Sequence, residues 1–275
     1  VAGRFYPEDS KKLEDMIKSL FKNKFGPGEI PNNPGGKFNK RVGLILPHAG
    51  YRYSGPIAAH GFNYIAKEGK PDSMIIIGTN HTGLGGSVST VTSGEWETPF
   101  GSLVIDGAMG EDLLDECPSL REDSGAFERE HSLEVQLPFL QYLYGERFKF
   151  LPICIKDQTE ETVMELGKGI SEVAGNNSLV IASSDFSHYE PPERAKEKDR
   201  KALDQILKLN TTGFLRTVKE ERISICGYGA IGALMVFAKI NKLKPEELFY
   251  ATSGDISGMD DQVVGYASVA FRGGT

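Results

Sequence analysis

The sequence predicts one α/β domain with a central, mainly parallel but mixed β-sheet and helices on both faces. Continuous apolar runs of strand length occur at residues 42–46, 74–77 and 179–182, and such runs are typical of strands that are buried on both faces. Amphipathic segments of helical period separate these runs, which favours helices above and below the sheet. The 275 residues fit one large core, so we expect a single domain over residues 1–275.

The first predicted element is an amphipathic helix that begins after Asp9 and repeats apolar residues at helical spacing over residues 13–21. Residues 26–40 are rich in Gly, Pro and Asn and predict a loop. The buried strand at 42–46 follows, and the spacing after it predicts a helix from about Gly55.

The remaining chain continues to alternate between strands and helices. Two short alternating runs at residues 88–91 and 103–105 predict an antiparallel excursion, which is why we expect the sheet to be mixed. Further helices are predicted at 133–144, 159–174, 194–207 and 229–240, and further strands at 148–155, 248–252 and 263–271.

Composition and charge exclude several classes of function. The net charge of −7 argues against binding to nucleic acids or to anionic membrane surfaces, because both need a clustered basic face. The chain shows neither an apolar run of about 18 residues nor a signal peptide at its start. Its three cysteines are an odd number at unrelated spacings, which favours a reducing compartment. We therefore expect a cytoplasmic protein whose partner is a small molecule or a peptide.

The histidines indicate where a functional site lies. Three of the five, His48, His81 and His188, come shortly after predicted strands. In open α/β sheets, ligands bind in the crevice outside the carboxyl ends of the strands. Any one of these histidines is more simply explained as a turn residue, but three in the same position predict a shared site.

Neutral imidazoles are common metal ligands, and Cys226 is the best candidate for an additional ligand. Glycines follow it at a predicted turn into a helix, and a helix N-terminus lowers the pKa of a thiol and so favours metal binding or nucleophilic attack. The alternative is that Cys226 is simply a small buried apolar residue.

Asp185 could orient an imidazole or accept a proton. His131 could edge the pocket, although the acidic residues just before it, including Glu130, are more simply explained as helix caps.

Six segments together resemble the Memo family, whose prokaryotic members are also called AmmeMemoRadiSam system protein B. In chain order they are AGRFYP at 2–7, PHAGY at 47–51, GTNH at 78–81, EHSLE at 130–134, SSDFSH at 183–188 and ICG at 225–227. The motifs span nearly the whole chain.

The resemblance implies the fold of class III extradiol dioxygenases, which are non-haem iron enzymes that cleave catechol rings with O₂. It also implies a metal on His48, His81 and Cys226, with Asp185 and His188 beside it as catalytic residues. The dioxygenases hold Fe(II) with two histidines and a carboxylate, and here a cysteine takes the place of the carboxylate. We expect Fe(II), with copper or zinc as alternatives because thiolate is a softer ligand. Aerobic preparations are expected to lose the metal as the thiolate oxidises.

Three functions remain open at this point. The first is a metal-dependent oxidoreductase in which His188 moves protons. The second is a metal- or peptide-binding protein without turnover. Its pocket would be walled by aromatic side chains, namely Tyr51, Tyr53, Trp96, His131 and Tyr189. The third is a cysteine hydrolase in which His188 activates Cys226 and Asp185 orients the histidine.

Overall fold

The computed structural model describes residues 1–32, 35–146, 148–259 and 261–273, and these ranges contain one eleven-stranded sheet. Asn33 and Pro34, which belong to the predicted loop at 26–40, lie outside the described residues. The strands are β1 Val42–Leu46, β2 Ser73–Thr79, β3 Val88–Thr90, β4 Glu95–Thr98, β5 Gly101–Ile105, β6 Leu120–Glu122, β7 Lys149–Ile155, β8 Ser178–Ser183, β9 His188–Glu190, β10 Leu243–Thr252 and β11 Val263–Gly273. The helices are α1 Ser10–Phe21, α2 Tyr51–Ala66, α3 Gly107–Glu116, α4 Leu137–Tyr144, α5 Glu160–Val173, α6 Pro192–Leu207, α7 Thr211–Glu220, α8 Tyr228–Ile240 and α9 Ser253–Ser257.

The centre of the sheet is parallel and its flanks are mixed, which confirms the predicted fold class. The strand order is β10-β11-β1-β8-β2-β7-β3-β6. Strands β1, β8, β2 and β7 run parallel to one another, whereas β11 is antiparallel to β1 and to β10. The predicted antiparallel pairing of 88–91 with 103–105 is wrong in its partners. Strand β3 is antiparallel to β7, and β5 forms a hairpin with β4, which lies in the predicted connection. This hairpin joins the sheet through β7.

Alternate residues of the central strands enter two separate hydrophobic cores. In β2, Met74 and Ile76 belong to the core formed with α1, α2 and α4. Ile75 and Ile77 belong to the core formed with α5, α6 and α8 on the opposite face. Because every side chain of such a strand meets apolar neighbours, its sequence is a continuous apolar run.

Helix α2 begins four residues earlier than the predicted start at Gly55. Gly50 is its N-cap residue, and the Tyr51 backbone N–H donates a hydrogen bond to the Phe5 carbonyl at 2.8 Å. This contact with a distant segment takes the place of a side-chain cap. Because no capping residue precedes Tyr51 in the sequence, the sequence does not indicate that the helix begins there. The helix predicted at 133–144 opens instead as a 3₁₀ turn, Glu134–Gln136.

Three of the described helices, α3, α7 and α9, were not among the predicted ones. Each is capped by the side chain of the residue before it: Asp106 for α3, Asn210 for α7 and Thr252 for α9. Among the described residues, none of the helices has both the length and the apolar character needed to cross a bilayer.

Candidate metal centre

The predicted ligands meet at the carboxyl edge of the parallel strands. His48 lies two residues after β1 and His81 two residues after β2, while Cys226 precedes the first turn of α8. One ligand atom from each residue lies within 4.8 Å of the others. Cys226 Sγ and His48 Nε2 are 3.2 Å apart. These three residues therefore form a group that could hold a metal ion.

A buried hydroxyl orients His48. Ser183 Oγ donates its single proton to the Ser132 carbonyl at 2.6 Å and accepts from Gln136 Nε2 at 2.8 Å. Its contact with His48 Nδ1, at 3.1 Å, must therefore be one in which the imidazole donates. This leaves the lone pair of the ring on Nε2, the atom that faces Cys226. Burial lowers the pKa of His48 well below its usual value, so the ring is neutral at pH 7.

A buried carboxylate orients His81 in the same way. His81 Nδ1 lies 2.8 Å from Glu130 Oε1, and the backbone N–H of His81 donates to Oε2 at 2.7 Å. Burial alone would raise the pKa of Glu130, but the hydrogen bonds from His81 and Ser132 lower it to about 2. The ionised carboxylate accepts from Nδ1–H and leaves the His81 Nε2 lone pair free for a metal. The main contact of Glu130 is therefore with His81, which the predicted capping role did not include.

His131 lies beside the cluster. Its ring stacks on His81 at 4.5 Å between centroids and meets His48 edge-on at 5.2 Å. Phe5, which sequence reasoning missed, also stacks on the His131 ring, with 4.4 Å between the two ring centroids. Burial and the neighbouring His81 lower the pKa of His131 to about 4, so it is neutral at pH 7.

The pKa of the Cys226 thiol moves in the opposite direction to that predicted. Burial, with the nearby Asp185 charge, raises this pKa to about 12. Desolvation of the thiolate thus outweighs the helix N-terminus that was expected to lower it. Without a metal the sulfur is protonated and donates toward His48 Nε2.

Asp185 contacts the ligand loop directly, whereas the hydrogen bonds of His188 are made with Ser224. Asp185 Oδ1 accepts the backbone N–H groups of His48 at 2.8 Å and Ala49 at 3.3 Å. Its other oxygen is 4.0 Å from His48 Nε2. His188 Nδ1 donates to the Ser224 carbonyl at 2.8 Å, so its Nε2 carries the lone pair. The histidine bonded to Cys226 is therefore His48, and the pairing with His188 required by the predicted hydrolase is not formed within the described chain.

The predicted aromatic wall is only partly at the site. Tyr51 is 2 % exposed and its ring packs against Tyr6 and Phe139, and both Tyr51 and Trp96 belong to the core on the α2 face. Tyr53 is half-buried, whereas Tyr189 is 73 % exposed with its ring 6.0 Å from that of His188.

Tyr266 is a further residue that sequence reasoning missed. Only 2 % of the residue is exposed. Its hydroxyl makes no hydrogen bond with the described residues, and the hydroxyl oxygen is still reached by solvent. Burial and the charge of Asp185 raise the pKa of this phenol. Its position in the apolar strand β11 predicted a core residue, and only the fold brings it toward Asp185.

The donor set fits a transition metal. Zinc–sulfur and zinc–nitrogen bonds of about 2.3 and 2.0 Å place tetrahedral donors about 3.5 Å apart. The 3.2 Å separation of Cys226 Sγ from His48 Nε2 is close to this value. Three protein ligands also leave coordination positions for water or substrate.

Comparisons with known proteins agree with the motifs and the fold. The sequence profile of the family described as Memo-like protein matches residues 1–270. A MEMO1 family protein of Methanopyrus kandleri is 45% identical over 278 residues, covering 100% of this chain and 98% of the relative. One from Desulfurococcus amylolyticus is 46% identical over 274 residues, covering 98% and 97%.

A solved structure shares the fold at much lower sequence similarity. The crystal structure of the uncharacterized protein JW3007 from Escherichia coli K12 has a TM-score of 0.55 and 11% identity, covering 83% of this chain and 98% of that one. This likeness concerns the fold alone, whereas the family follows from the profile and the sequence relatives. The chain belongs to the Memo family.

Proposed function

We propose that the chain binds one transition metal ion, Fe(II) in the first instance, through His48, His81 and Cys226. We further propose that this centre serves an oxidoreductase reaction on a small molecule. The observation that supports the proposal is the preset orientation of both rings. Ser183 and Glu130 each occupy an Nδ1, so that both Nε2 lone pairs are free beside the sulfur.

The protein residues around the ligands have distinct roles in this proposal. When bound, the ion would supply Lewis acidity and a redox couple. Asp185 holds the backbone of His48 and Ala49, and thereby positions the ligand loop. His188 keeps its Nδ1 proton on the Ser224 carbonyl, so its Nε2 is the atom that can accept a substrate proton.

Two alternatives compete with this proposal. A cysteine hydrolase would have to use His48 in place of the expected His188, and the 3.2 Å contact between Cys226 Sγ and His48 Nε2 supports that variant. Against it, a thiol whose pKa is about 12 is a weak nucleophile at neutral pH. A metal- or peptide-binding protein without turnover would share the same ligands, and differs only in its lack of substrate-dependent oxygen consumption.

The test is metal analysis of protein purified without oxygen. We expect one Fe, Cu or Zn ion per chain in the wild type and no stoichiometric metal in the variant His48→Ala/His81→Ala. His60→Ala is the matched control, because His60 Nε2 contacts the Phe25 carbonyl outside the cluster. Full metal content in the double variant would refute the ligand assignment. If the oxygen consumption of the Fe(II)-loaded protein does not change when candidate substrates are added, the non-catalytic alternative would be favoured.

A further inference from the structure

The peptide unit that follows Cys226 is held at both ends. Its oxygen, the Cys226 carbonyl, accepts hydrogen bonds from Thr79 Oγ1 at 2.9 Å and from Gln158 Nε2 at 3.0 Å. Its nitrogen, the backbone N–H of Gly227, donates to Ser184 Oγ at 2.9 Å. Because a peptide unit is planar, fixing its oxygen and its nitrogen also fixes the rotation of the backbone at Cys226.

The three side chains that hold this peptide unit come from the ends of three neighbouring strands. Thr79 is the last residue of β2, Ser184 directly follows β8, and Gln158 lies three residues after β7. Strand β2 pairs in parallel with both β7 and β8. The turn that carries Cys226 therefore rests on the carboxyl edge of the sheet.

Gln158 makes a second contact with the same turn. Its Oε1 accepts the backbone N–H of Gly229 at 2.6 Å. Gly229 lies in the first turn of α8, where backbone N–H groups have no partner within the helix. Gly227, the N-cap residue of α8, has no side chain that could accept this N–H. The Gln158 amide therefore caps the helix and, through its nitrogen, also holds the Cys226 carbonyl.

The two glycines after Cys226 make room for these contacts. A Cβ atom at Gly227 would lie 2.8 Å from Ser184 Cβ, and one at Gly229 would lie 2.8 Å from Gln158 Cγ. Both distances are shorter than carbon atoms tolerate. The glycines of the segment CGYG therefore allow Ser184 and Gln158 to approach the backbone of the turn.

We propose that Gln158 is a positioning residue of the metal centre, which acts through the Cys226 carbonyl. With the following peptide unit fixed, the Cys226 sulfur is kept beside His48 Nε2, at 3.2 Å. A ligand that is already in place loses less conformational freedom when the metal binds. The inference rests on the proposed function, in which Cys226 is a ligand.

The first test needs no metal. Alkylation of the metal-free full chain is followed by mass spectrometry at each cysteine. Gln158→Met keeps the length of the side chain but removes its amide, and should raise the alkylation rate of Cys226 about tenfold because the turn opens more often. The fully buried Cys117 and Cys154 should stay unmodified, whereas a general loss of stability would expose all three thiols.

Gln141→Met is the matched control. Gln141 is a buried glutamine of α4 whose amide contacts Thr98 and Gly101 of the β4–β5 hairpin. We expect this variant to leave the Cys226 rate unchanged. An unchanged rate in Gln158→Met would overturn the proposal, as would an equal increase in Gln141→Met.

The second test uses Co²⁺, because thiolate coordination to this ion gives a charge-transfer absorption in the near ultraviolet. Thr79→Val removes the other donor to the Cys226 carbonyl and leaves the Gly229 N–H capped by Gln158. We expect Gln158→Met and Thr79→Val each to weaken Co²⁺ affinity by about tenfold, and to reduce this absorption at saturation.

The outcomes separate the positioning role from simpler ones. Weaker binding in Gln158→Met alone would mean that the amide only caps α8, and unchanged binding in both variants would mean that it has no role in the centre. Either result would overturn the proposal. If the wild type gives no thiolate absorption, the assignment of Cys226 as a ligand fails, and the alkylation rates then decide by themselves whether Gln158 holds the sulfur in place.

Discussion

Metal binding should depend on pH because of one proton on Cys226. Burial raises the pKa of this thiol to about 12, so the metal-free protein carries the proton across the neutral range. A metal binds the thiolate and must displace that proton. Affinity should therefore increase as pH rises and decrease as pH falls.

The magnitude follows from the number of protons displaced. Below the thiol pKa, the loss of one proton changes the apparent Kd tenfold per pH unit. Between pH 7.5 and 9.0 the apparent Kd should therefore fall by about 30-fold. His48 adds nothing to this slope, because burial keeps its pKa well below 6.5 and the ring is already neutral.

The assay is competition for Zn²⁺ or Co²⁺ against a chromophoric chelator under anaerobic conditions, at several values of pH. Cys226→Ala should bind more weakly and should lose one unit of slope in log Kd against pH. Cys117→Ala is the matched control, because Cys117 is buried elsewhere, beside the Glu165 carbonyl, and should leave the slope unchanged.

Identical slopes in the wild type and Cys226→Ala would refute the reasoning, since no thiol proton would then be released on binding. Calorimetry in buffers of different ionisation enthalpy gives an independent count of the released protons. We expect one more proton released by the wild type than by Cys226→Ala.

Three further predictions concern the groups around the ligands. Glu130→Gln should weaken metal affinity by about 10- to 100-fold, because the anion that holds His81 is lost; unchanged affinity in the same chelator competition would contradict this. Ser183→Ala should lower the free energy of unfolding by about 1–3 kcal/mol in urea denaturation, because it leaves buried partners unpaired, and should also weaken metal binding; an unfolding curve like that of the wild type would rule this out. Alkylation, followed by mass spectrometry, should modify Cys226 faster after chelation than with saturating metal, while the fully buried Cys117 and Cys154 stay unmodified in both; equal rates for Cys226 would exclude its role as a ligand.

Much of the fold could be predicted because a strand that is buried on both faces has a continuous run of apolar residues. The apolar run of β2 lies between two cores, so its period and length indicate a parallel strand of the interior. The position of the site follows from the same pattern. His48 follows β1 and His81 follows β2, and both strands are parallel to β8, which lies between them. The carboxyl ends of parallel strands meet at one edge of the sheet.

The chemistry of the site depended on contacts between distant segments. Glu130 is 49 positions from His81, and Cys226 is 178 positions from His48. No local pattern records such pairings, so the sequence alone favours a capping role for Glu130, and the hydrolase alternative pairs the sulfur with His188. The pKa of Cys226 shows the physical reason most directly. A helix N-terminus is visible in the sequence, but the desolvation that outweighs it exists only when the chain is folded around the thiol.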